Sequence, residues 1–143
     1  MPRPIFALLI LILAGTALAD EPNLRKGGPM KIQFLEIVTR DVDAMCATYE
    51  AATGAVFSDP VPEFGNARTA DMADGSRLSV RAPMHETEEP TVRPYWLVDD
   101  IKAAWEAALA SGAEEAHPPL EIPGQGTFAI FVRDGIHHGL WKL

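Results

Sequence analysis

An approximate internal repeat is the strongest constraint that this sequence places on its fold. The second copy begins at residues 93–112, RPYWLVDDIKAAWEAALASG, a pattern that predicts a short apolar strand, an acidic turn and an amphipathic helix. A shift of 59 positions, which becomes 60 after one inserted residue, aligns Asp100, Ile101, Ala103, Pro119, Gly124, Asp134, Gly135 and Leu140 with Asp41, Val42, Ala44, Pro60, Gly65, Asp74, Gly75 and Val80. A duplicated unit of this size predicts one domain built from two similar halves.

The first 19 residues have the pattern of a secretory signal peptide. Arg3 precedes an apolar run over residues 5–14, and the small side chains of Ala17 and Ala19 favour cleavage after Ala19. The alternative is an uncleaved membrane anchor, but the run is shorter than the ~20 apolar residues that a spanning helix needs. We therefore expect a secreted or periplasmic protein without stable membrane insertion after cleavage.

Length and charge indicate a single acidic domain. Removal of the signal peptide from the 143-residue chain leaves 124 residues, which suits one domain of ordinary core size. The predicted parts are a lead-in (20–30), unit one (31–82), a linker (83–91) and unit two (92–143). The net charge of −8 disfavours nucleic acid and anionic membrane surfaces as partners. Cys46 is the only cysteine, which excludes an internal disulfide and predicts a buried core residue.

Each half has the pattern of a strand, a helix and three further strands. In the first half, strands are predicted at 31–38, 55–58, 68–72 and 77–82, with a Pro-rich loop at 59–65 and a hairpin turn at Asp74-Gly75. Its helix is capped by Thr39 or Asp41, buries Val42, Met45, Cys46 and Tyr49, and ends at Gly54. In the second half, strands are predicted at 93–98, after Ala113, and at 127–133 and 137–142, with a helix between Asp99 or Asp100 and Gly112 and a Pro-rich loop at 118–126.

Neither half can bury its own sheet, so the pattern predicts an α+β fold in which two tandem βαβββ units form one curved mixed sheet around a cleft. Both helices would lie on the outer face. The stretches FLEIVTRDVDAMCATYEAATGAVF, WLVDDIKAAWEAALASGA and PPLEIPGQGTFAIF, with the final GLWKL, resemble the vicinal oxygen chelate superfamily. That superfamily includes glyoxalase I, bleomycin-resistance proteins and extradiol dioxygenases. The resemblance covers residues 31–143 and implies the glyoxalase/bleomycin-resistance fold.

The resemblance also implies where a metal would be held, because metal-dependent members carry His, Gln or Glu ligands on the first and last strands of each unit. Those positions correspond here to Phe34, Ser79, Arg93 and Gly139, and none of these residue types is an ordinary ligand of a divalent ion. The usual DPxGN turn before the last strand is also replaced, by Asp-Gly-Ile at 134–136. We therefore predict a domain without a metal ion or other cofactor.

Alternation along the strands predicts which other side chains face the cleft. The predicted ligand-binding residues are Phe34, Ser79, Arg81, Arg93, Tyr95 and Trp141, and the candidate acid–base residues are Glu36 and His137. Arg93 would hold a carboxylate in a bidentate fork. In the alternative interpretation, Glu36 forms an ion pair with Arg93 or with an arginine of the other half, and the cleft is an ordinary core. His138 points to the opposite face from His137, so the two cannot chelate one ion from a regular strand.

Two function classes follow from these residues. The first is an exported, metal-free domain that binds a small organic molecule, anionic or polar aromatic, in its cleft. The alternative is an enzyme, a lyase, isomerase or oxidoreductase relative, that uses Glu36 and His137 as acid and base or a metal site of unfamiliar composition. A purely structural subunit is a third class. Because many relatives share strands or units between two chains, we expect a homodimer.

Overall fold

Seven strands form one mixed sheet, and two helices pack against it. The computed structural model describes residues 28–143, so the predicted signal peptide and most of the predicted lead-in lie outside the described residues. The elements are β1 (Ile32–Val38), α1 (Val42–Thr53), β2 (Arg68–Asp71), β3 (Arg77–Arg81), β4 (Thr91–Leu97), α2 (Ile101–Ala110), β5 (Glu114–Ile122), β6 (Gly126–Arg133) and β7 (Ile136–Lys142), with a 3₁₀ turn at Pro62–Phe64. Neither α1 nor α2 has the length and hydropathy of a membrane-spanning helix.

The first strand of each half lies in the middle of the sheet. The strand order is β2-β3-β1-β4-β7-β6-β5, with β1 antiparallel to β4 and each of these two strands parallel to the last strand of its own half. Phe34 lies opposite Tyr95, and Glu36 lies opposite Arg93. Because opposed residues on neighbouring strands point to the same side, these four side chains share one face. The internal duplication itself stays a prediction.

Both helices cover the other face of the sheet. Against α1, Ile37, Leu78 and Val80 form a core with Cys46, which is completely buried. Against α2, Leu140 forms a second core with Ile101 and Ala129. Burial of each large aliphatic side chain contributes about 1.5 to 3 kcal/mol. The predicted α+β fold with both helices on the outer face is confirmed, and the inner face is left to form the cleft.

Side-chain caps explain where the helices begin. The Asp41 carboxylate accepts a hydrogen bond from Ala44 N at 2.9 Å, and the Asp100 carboxylate accepts one from Ala103 N at 3.0 Å. Of the predicted alternatives, the two caps are therefore Asp41 and Asp100. The first helix ends at Gly54 as predicted, with a left-handed φ of 74° that glycine adopts without strain.

The first half contains one strand fewer than predicted, because residues 55–58 form no regular strand. Ser58 N does donate to Thr69 O at 2.8 Å. However, Thr69 N donates to the Ser58 hydroxyl at 3.0 Å, and the Arg68 guanidinium takes the Ser58 carbonyl at 3.2 Å. Side-chain groups thus take the places of the ladder partners, and regular pairing does not extend from this residue.

The second Pro-rich loop was predicted too long and the linker slightly too long. The strand β5 continues through Pro118 and Pro119 to Ile122. It is an edge strand, where a missing N–H costs no ladder bond, and its register against β6 shifts on both sides of His117. The linker is shorter than predicted because the strand after it, β4, begins at Thr91 rather than at residue 93.

Candidate functional site

A cavity of about 810 Å³ lies on the inner face of the sheet and is lined by both halves. All eight residues predicted for the site contribute to its wall, namely Phe34, Glu36, Ser79, Arg81, Arg93, Tyr95, His137 and Trp141. Residues of the segment between β3 and β4 also line it, as do residues of β5 and β6. The structure therefore brings the predicted residues together around one space, while their roles stay predictions.

Four aromatic rings form the base of the cavity, and we call Phe34, Phe64, Tyr95 and Trp141 the aromatic floor. Phe34 and Trp141 stack with ring centroids 4.8 Å apart and 7° between their planes. Phe64 lies 5.2 Å from Phe34, and Tyr95 meets Trp141 edge-on at 5.9 Å. The four side chains are only 4–8% exposed. The aromatic floor is therefore a packed core that also forms a cavity wall.

Glu36 binds two arginines at once. Its Oε1 accepts a hydrogen bond from Arg81 Nε at 2.7 Å, and its Oε2 accepts one from Arg93 Nη1 at 2.5 Å. The Tyr95 hydroxyl donates to Oε2 as well, at 3.2 Å. Arg93 is therefore not the free guanidinium that the ligand-fork hypothesis assumed, and the predicted alternative of a Glu36 ion pair is correct.

Arg81 holds a second carboxylate, that of Glu88. Arg81 Nη1 and Nη2 donate to the two Glu88 oxygens at 2.8 and 2.7 Å, in the bidentate geometry that suits a carboxylate. Glu88 also accepts a hydrogen bond from Met84 N at 2.7 Å. The Arg81 side chain is 5% exposed and the Glu88 side chain 15%. Glu36, Arg81, Glu88 and Arg93 thus form a charged cluster in which two positive and two negative charges cancel.

Burial and these charges shift the ionisation of the cluster and of Tyr95. Burial lowers the pKa of Arg81, but the hydrogen bonds to Glu88 and the charge of Glu36 outweigh it and raise the pKa overall. Burial also lowers the pKa of Arg93, and the neighbouring Tyr95 and Glu36 more than offset that effect. Burial raises the pKa of Tyr95, and the charge of Glu36 raises it further. Both arginines therefore stay cationic and Tyr95 stays a neutral donor at physiological pH.

Acid is expected to weaken the pair formed by Arg81 and Glu88. The Arg81 hydrogen bonds lower the pKa of Glu88 from 4.5 to about 2. Because the folded value lies below the unfolded value, the pair stabilises the fold above about pH 4.5 and loses this contribution as the pH falls towards 2, with a full effect of about 3 kcal/mol. The measurement is urea unfolding of the wild type and Glu88→Gln at several pH values. A stability difference that does not shrink in acid would contradict this expectation.

No protein-family model matches the sequence, and no curated protein matches it. Among solved structures, a hypothetical protein from Bacillus halodurans C-125 is similar with a TM-score of 0.65 and 10% identity, over 81% of this chain and 96% of that chain. A variant of Streptomyces coelicolor methylmalonyl-CoA epimerase, in complex with 2-nitronate-propionyl-CoA, has a TM-score of 0.59 and 21% identity, over 78% of this chain and 95% of that chain. The Mycobacterium tuberculosis methylmalonyl-CoA epimerase has a TM-score of 0.59 and 13% identity, over 77% of this chain and 85% of that chain.

The fold is the glyoxalase/bleomycin-resistance fold. Sequence identities of this size support the architecture only. The activity named for the epimerases belongs to those proteins, and the residues of this chain have to carry any argument about its own chemistry.

The four positions for which the sequence resemblance implies metal ligands do not fit a metal here. Phe34 belongs to the aromatic floor, Ser79 is 1% exposed, and Arg93 is bound to Glu36. Gly139 lies opposite Tyr95, and a Cβ added to Gly139 would stand 2.2 Å from the Tyr95 ring. The Tyr95 ring therefore fills the space that a metal-binding side chain at position 139 would need. Within residues 28–143, no group of three or more His, Cys, Asp or Glu side chains is arranged to hold a metal ion.

Replacing Gly139 by alanine is expected to destabilise the fold by about 1 to 3 kcal/mol, because the new methyl group overlaps the buried Tyr95 ring. Urea unfolding gives the difference. The matched experiment repeats the substitution in a Tyr95→Ala background, where the ring is absent and the added methyl group should cost much less. An equal cost in both backgrounds would mean that the Tyr95 ring is not the reason for the glycine.

The two adjacent histidines lie in different surroundings. His137 is exposed and lies at the cavity wall, whereas His138 stacks on Phe131 with ring centroids 5.1 Å apart. Phe131 packs against the core under α2. The predicted opposite orientation of the two side chains is therefore what the structure has. His137 lies on β7, which is two strands away from the Glu36 strand, β1.

Among the cavity-lining residues that sequence reasoning missed, Phe64 and Glu88 contribute most to the aromatic floor and the charged cluster. Phe64 ends the 3₁₀ turn at Pro62–Phe64, inside the loop that was predicted only as an interruption. An aromatic residue within a Pro-rich loop was the available signal. Glu88 is one of three glutamates in the predicted linker, and nothing local distinguishes it from Glu86 and Glu89.

Proposed function

We propose that this protein is a metal-independent binding domain for a small organic molecule with an apolar, aromatic body and a polar or anionic end. The observation that carries the proposal is the cavity of about 810 Å³, with aromatic rings at its base and a buried charged cluster beside them. Ligand sites typically have volumes of about 300 to 1,000 Å³, mostly apolar walls and a few placed polar groups.

Together with Arg81, Arg93 is assigned to the polar end of the ligand. It is 8% exposed, and its Nε has no hydrogen-bond partner among the described residues. A buried donor without an acceptor is costly, so an acceptor oxygen delivered by a ligand would gain more here than at a satisfied donor. Phe34, Tyr95 and Trp141 would contact the apolar part, and Ser79 and Arg81 would complete the polar side.

An isomerase-like enzyme is the second candidate. The favouring observation is that solved structures with this fold include methylmalonyl-CoA epimerases, and that Glu36 and His137 line one cavity from strands β1 and β7. Strands two apart are separated by roughly 10 Å, which leaves room for a substrate between an acid and a base. Against this candidate, the Glu36 carboxylate already accepts hydrogen bonds from Arg81, Arg93 and Tyr95, which leaves about one of its roughly four acceptor positions open to a substrate proton.

Export and dimerisation belong to the same proposal. The protein would begin at Asp20 after signal-peptide cleavage, act in the periplasm or outside the cell, and form a homodimer without binding nucleic acid. Intact-mass measurement on exported material tests the first point, since a mass that retains residues 1–19 would contradict it. Sedimentation at high concentration tests the second, since a monomer under all conditions would count against the dimer.

The experiment for the binding function is a thermal-shift screen of small organic compounds on the mature chain, with and without divalent metals. We expect aromatic acids and amides to raise the melting temperature without added metal, and elemental analysis after dialysis to find far less than one metal per chain. Stoichiometric, tightly held Zn, Ni, Fe or Mn would overturn the metal-independent proposal. Acid–base exchange of substrate hydrogens that is lost in both Glu36→Gln and His137→Gln would favour the enzyme instead.

The role of Arg93 is tested with Arg93→Lys, which keeps the positive charge beside Glu36 but removes the planar fork. We expect compounds found by the screen to lose about 2 to 5 kcal/mol of binding free energy where the lost contact is desolvated. The fold should persist because Glu36 keeps a cationic partner. Unchanged affinity would mean that Arg93 only balances the charge of Glu36.

A further inference from the structure

The segment of residues 83–90 lies between β3 and β4 and contributes to the cavity wall. It has no regular secondary structure, and most of its side chains are exposed. Glu88 is less exposed, because its carboxylate is bound by the Arg81 guanidinium through two hydrogen bonds. The segment is thus attached to the cavity wall through a carboxylate in a bidentate site.

The two glutamates bound to Arg81, Glu36 and Glu88, differ in how their backbone is held. Glu36 lies in the central strand β1, which is paired on both sides, to β3 and to β4. Glu88 lies in the irregular segment, and its backbone N–H donates to His85 O, at 3.1 Å, within that same segment. Withdrawal of Glu88 would therefore break no strand pairing, whereas withdrawal of Glu36 would disrupt the centre of the sheet.

Charge balance decides what an anionic ligand must do in this cavity. With Glu88 in place, the charged cluster is neutral, and a ligand carboxylate would add an uncompensated negative charge beside Glu36 and Glu88. If the ligand carboxylate replaces that of Glu88, the balance is kept and the same two Arg81 donors are used again. Glu88 would move into water, where a free carboxylate is well solvated.

We propose that Glu88 is an internal stand-in for a ligand carboxylate, and that an aromatic monocarboxylate binds to Arg81 by displacing Glu88 and loosening the 83–90 segment. The inference rests on the proposed binding function and names its ligand class. The planar two-oxygen geometry of the site favours a carboxylate, and the aromatic floor favours an aromatic body attached to it. The segment is then a cover that only an anionic ligand releases.

The test compares two probes of the same shape, 2-naphthoate and the neutral 2-naphthamide, by equilibrium dialysis against the full mature chain. In Glu88→Gln and Glu88→Ala, 2-naphthoate should bind at least about tenfold more tightly than in the wild type, since no internal carboxylate competes with it. The affinity for 2-naphthamide should change less than about twofold. Glu86→Gln is the matched control, because Glu86 lies in the same segment but is exposed and is not part of the cavity wall. It should behave as the wild type.

Hydrogen exchange on the wild type tests the displacement without any substitution. Saturation with 2-naphthoate should accelerate amide exchange in residues 83–90, and saturation with 2-naphthamide should not. If 2-naphthamide binds but neither the Glu88 variants nor hydrogen exchange distinguishes the two probes, Glu88 is a permanent part of the wall and the inference is overturned. If neither probe binds the wild type or any variant, the proposed binding function fails first, and the inference fails with it.

Discussion

Replacing Glu36 by alanine is expected to lower the free energy of unfolding by about 3 to 5 kcal/mol, because two buried arginines lose the carboxylate between them. Arg81 retains Glu88, but Arg93 retains only a long contact to the Tyr95 hydroxyl, at 3.5 Å. Since Arg93 is 8% exposed, water cannot readily replace the lost partner. A loss of this size is a large part of the stability of an ordinary domain, about 5 to 15 kcal/mol.

The measurement is urea unfolding of Glu36→Ala beside Glu89→Ala. Glu89 also forms a salt bridge with an arginine, but both of its partners are largely exposed, with side chains 67% and 77% accessible for Arg40 and Glu89. Exposed pairs contribute about 0 to 1 kcal/mol, so Glu89→Ala should be almost neutral. A loss below 1 kcal/mol in Glu36→Ala would mean that Arg93 finds another acceptor, and the charged cluster would then not be a structural requirement.

The outer face of the fold could be predicted because its determinants are local. Apolar residues at helical spacing, with an acidic residue before each helix, are sufficient to place α1 and α2, and Cys46 lies in the core as its position predicts. The absent strand at 55–58 depends instead on Arg68 and Thr69, which reach Ser58 from another part of the chain. The edge position that allows Pro118 and Pro119 within β5 is likewise a property of the whole sheet.

The same contrast, between local determinants and contacts from distant parts of the chain, explains which features of the cavity could be predicted. The resemblance implied the positions of Phe34, Ser79 and Arg93, and strand alternation, a local rule, then placed the other five predicted residues on the cavity wall with them. Alternation could not show that Glu36 binds Arg81 and Arg93 together, since that depends on how three strands align. Glu88 and Phe64 were missed because they lie in irregular segments, where no period relates sequence position to direction. The charge balance of the cavity, which limits the ligands that it can bind, depends on Glu88.

Trp141→Ala is expected to cost about 3 to 5 kcal/mol of stability, because the indole is 4% exposed and packs against three other rings. Its stacking on Phe34 is lost, and Phe64 and Tyr95 lose a neighbour at the base of the cavity. If the aromatic floor also contacts ligand, affinity for 2-naphthamide should fall about tenfold or more, which corresponds to about 1.4 kcal/mol.

Trp105→Ala separates these two effects. Trp105 packs against the core under α2, on the outer face of the sheet, and is absent from the cavity wall. Its removal should lower stability while leaving the affinity for 2-naphthamide unchanged, whereas Trp141→Phe should restore most of the stability and part of the affinity by replacing one ring with another. Both affinities are measured by equilibrium dialysis in buffer without denaturant, on variants shown to be folded by circular dichroism. If Trp141→Ala destabilises the protein but binds the probe as the wild type does, the aromatic floor is core alone, and the ligand body must contact the walls formed by Ile122, Phe128 and Ile130 instead.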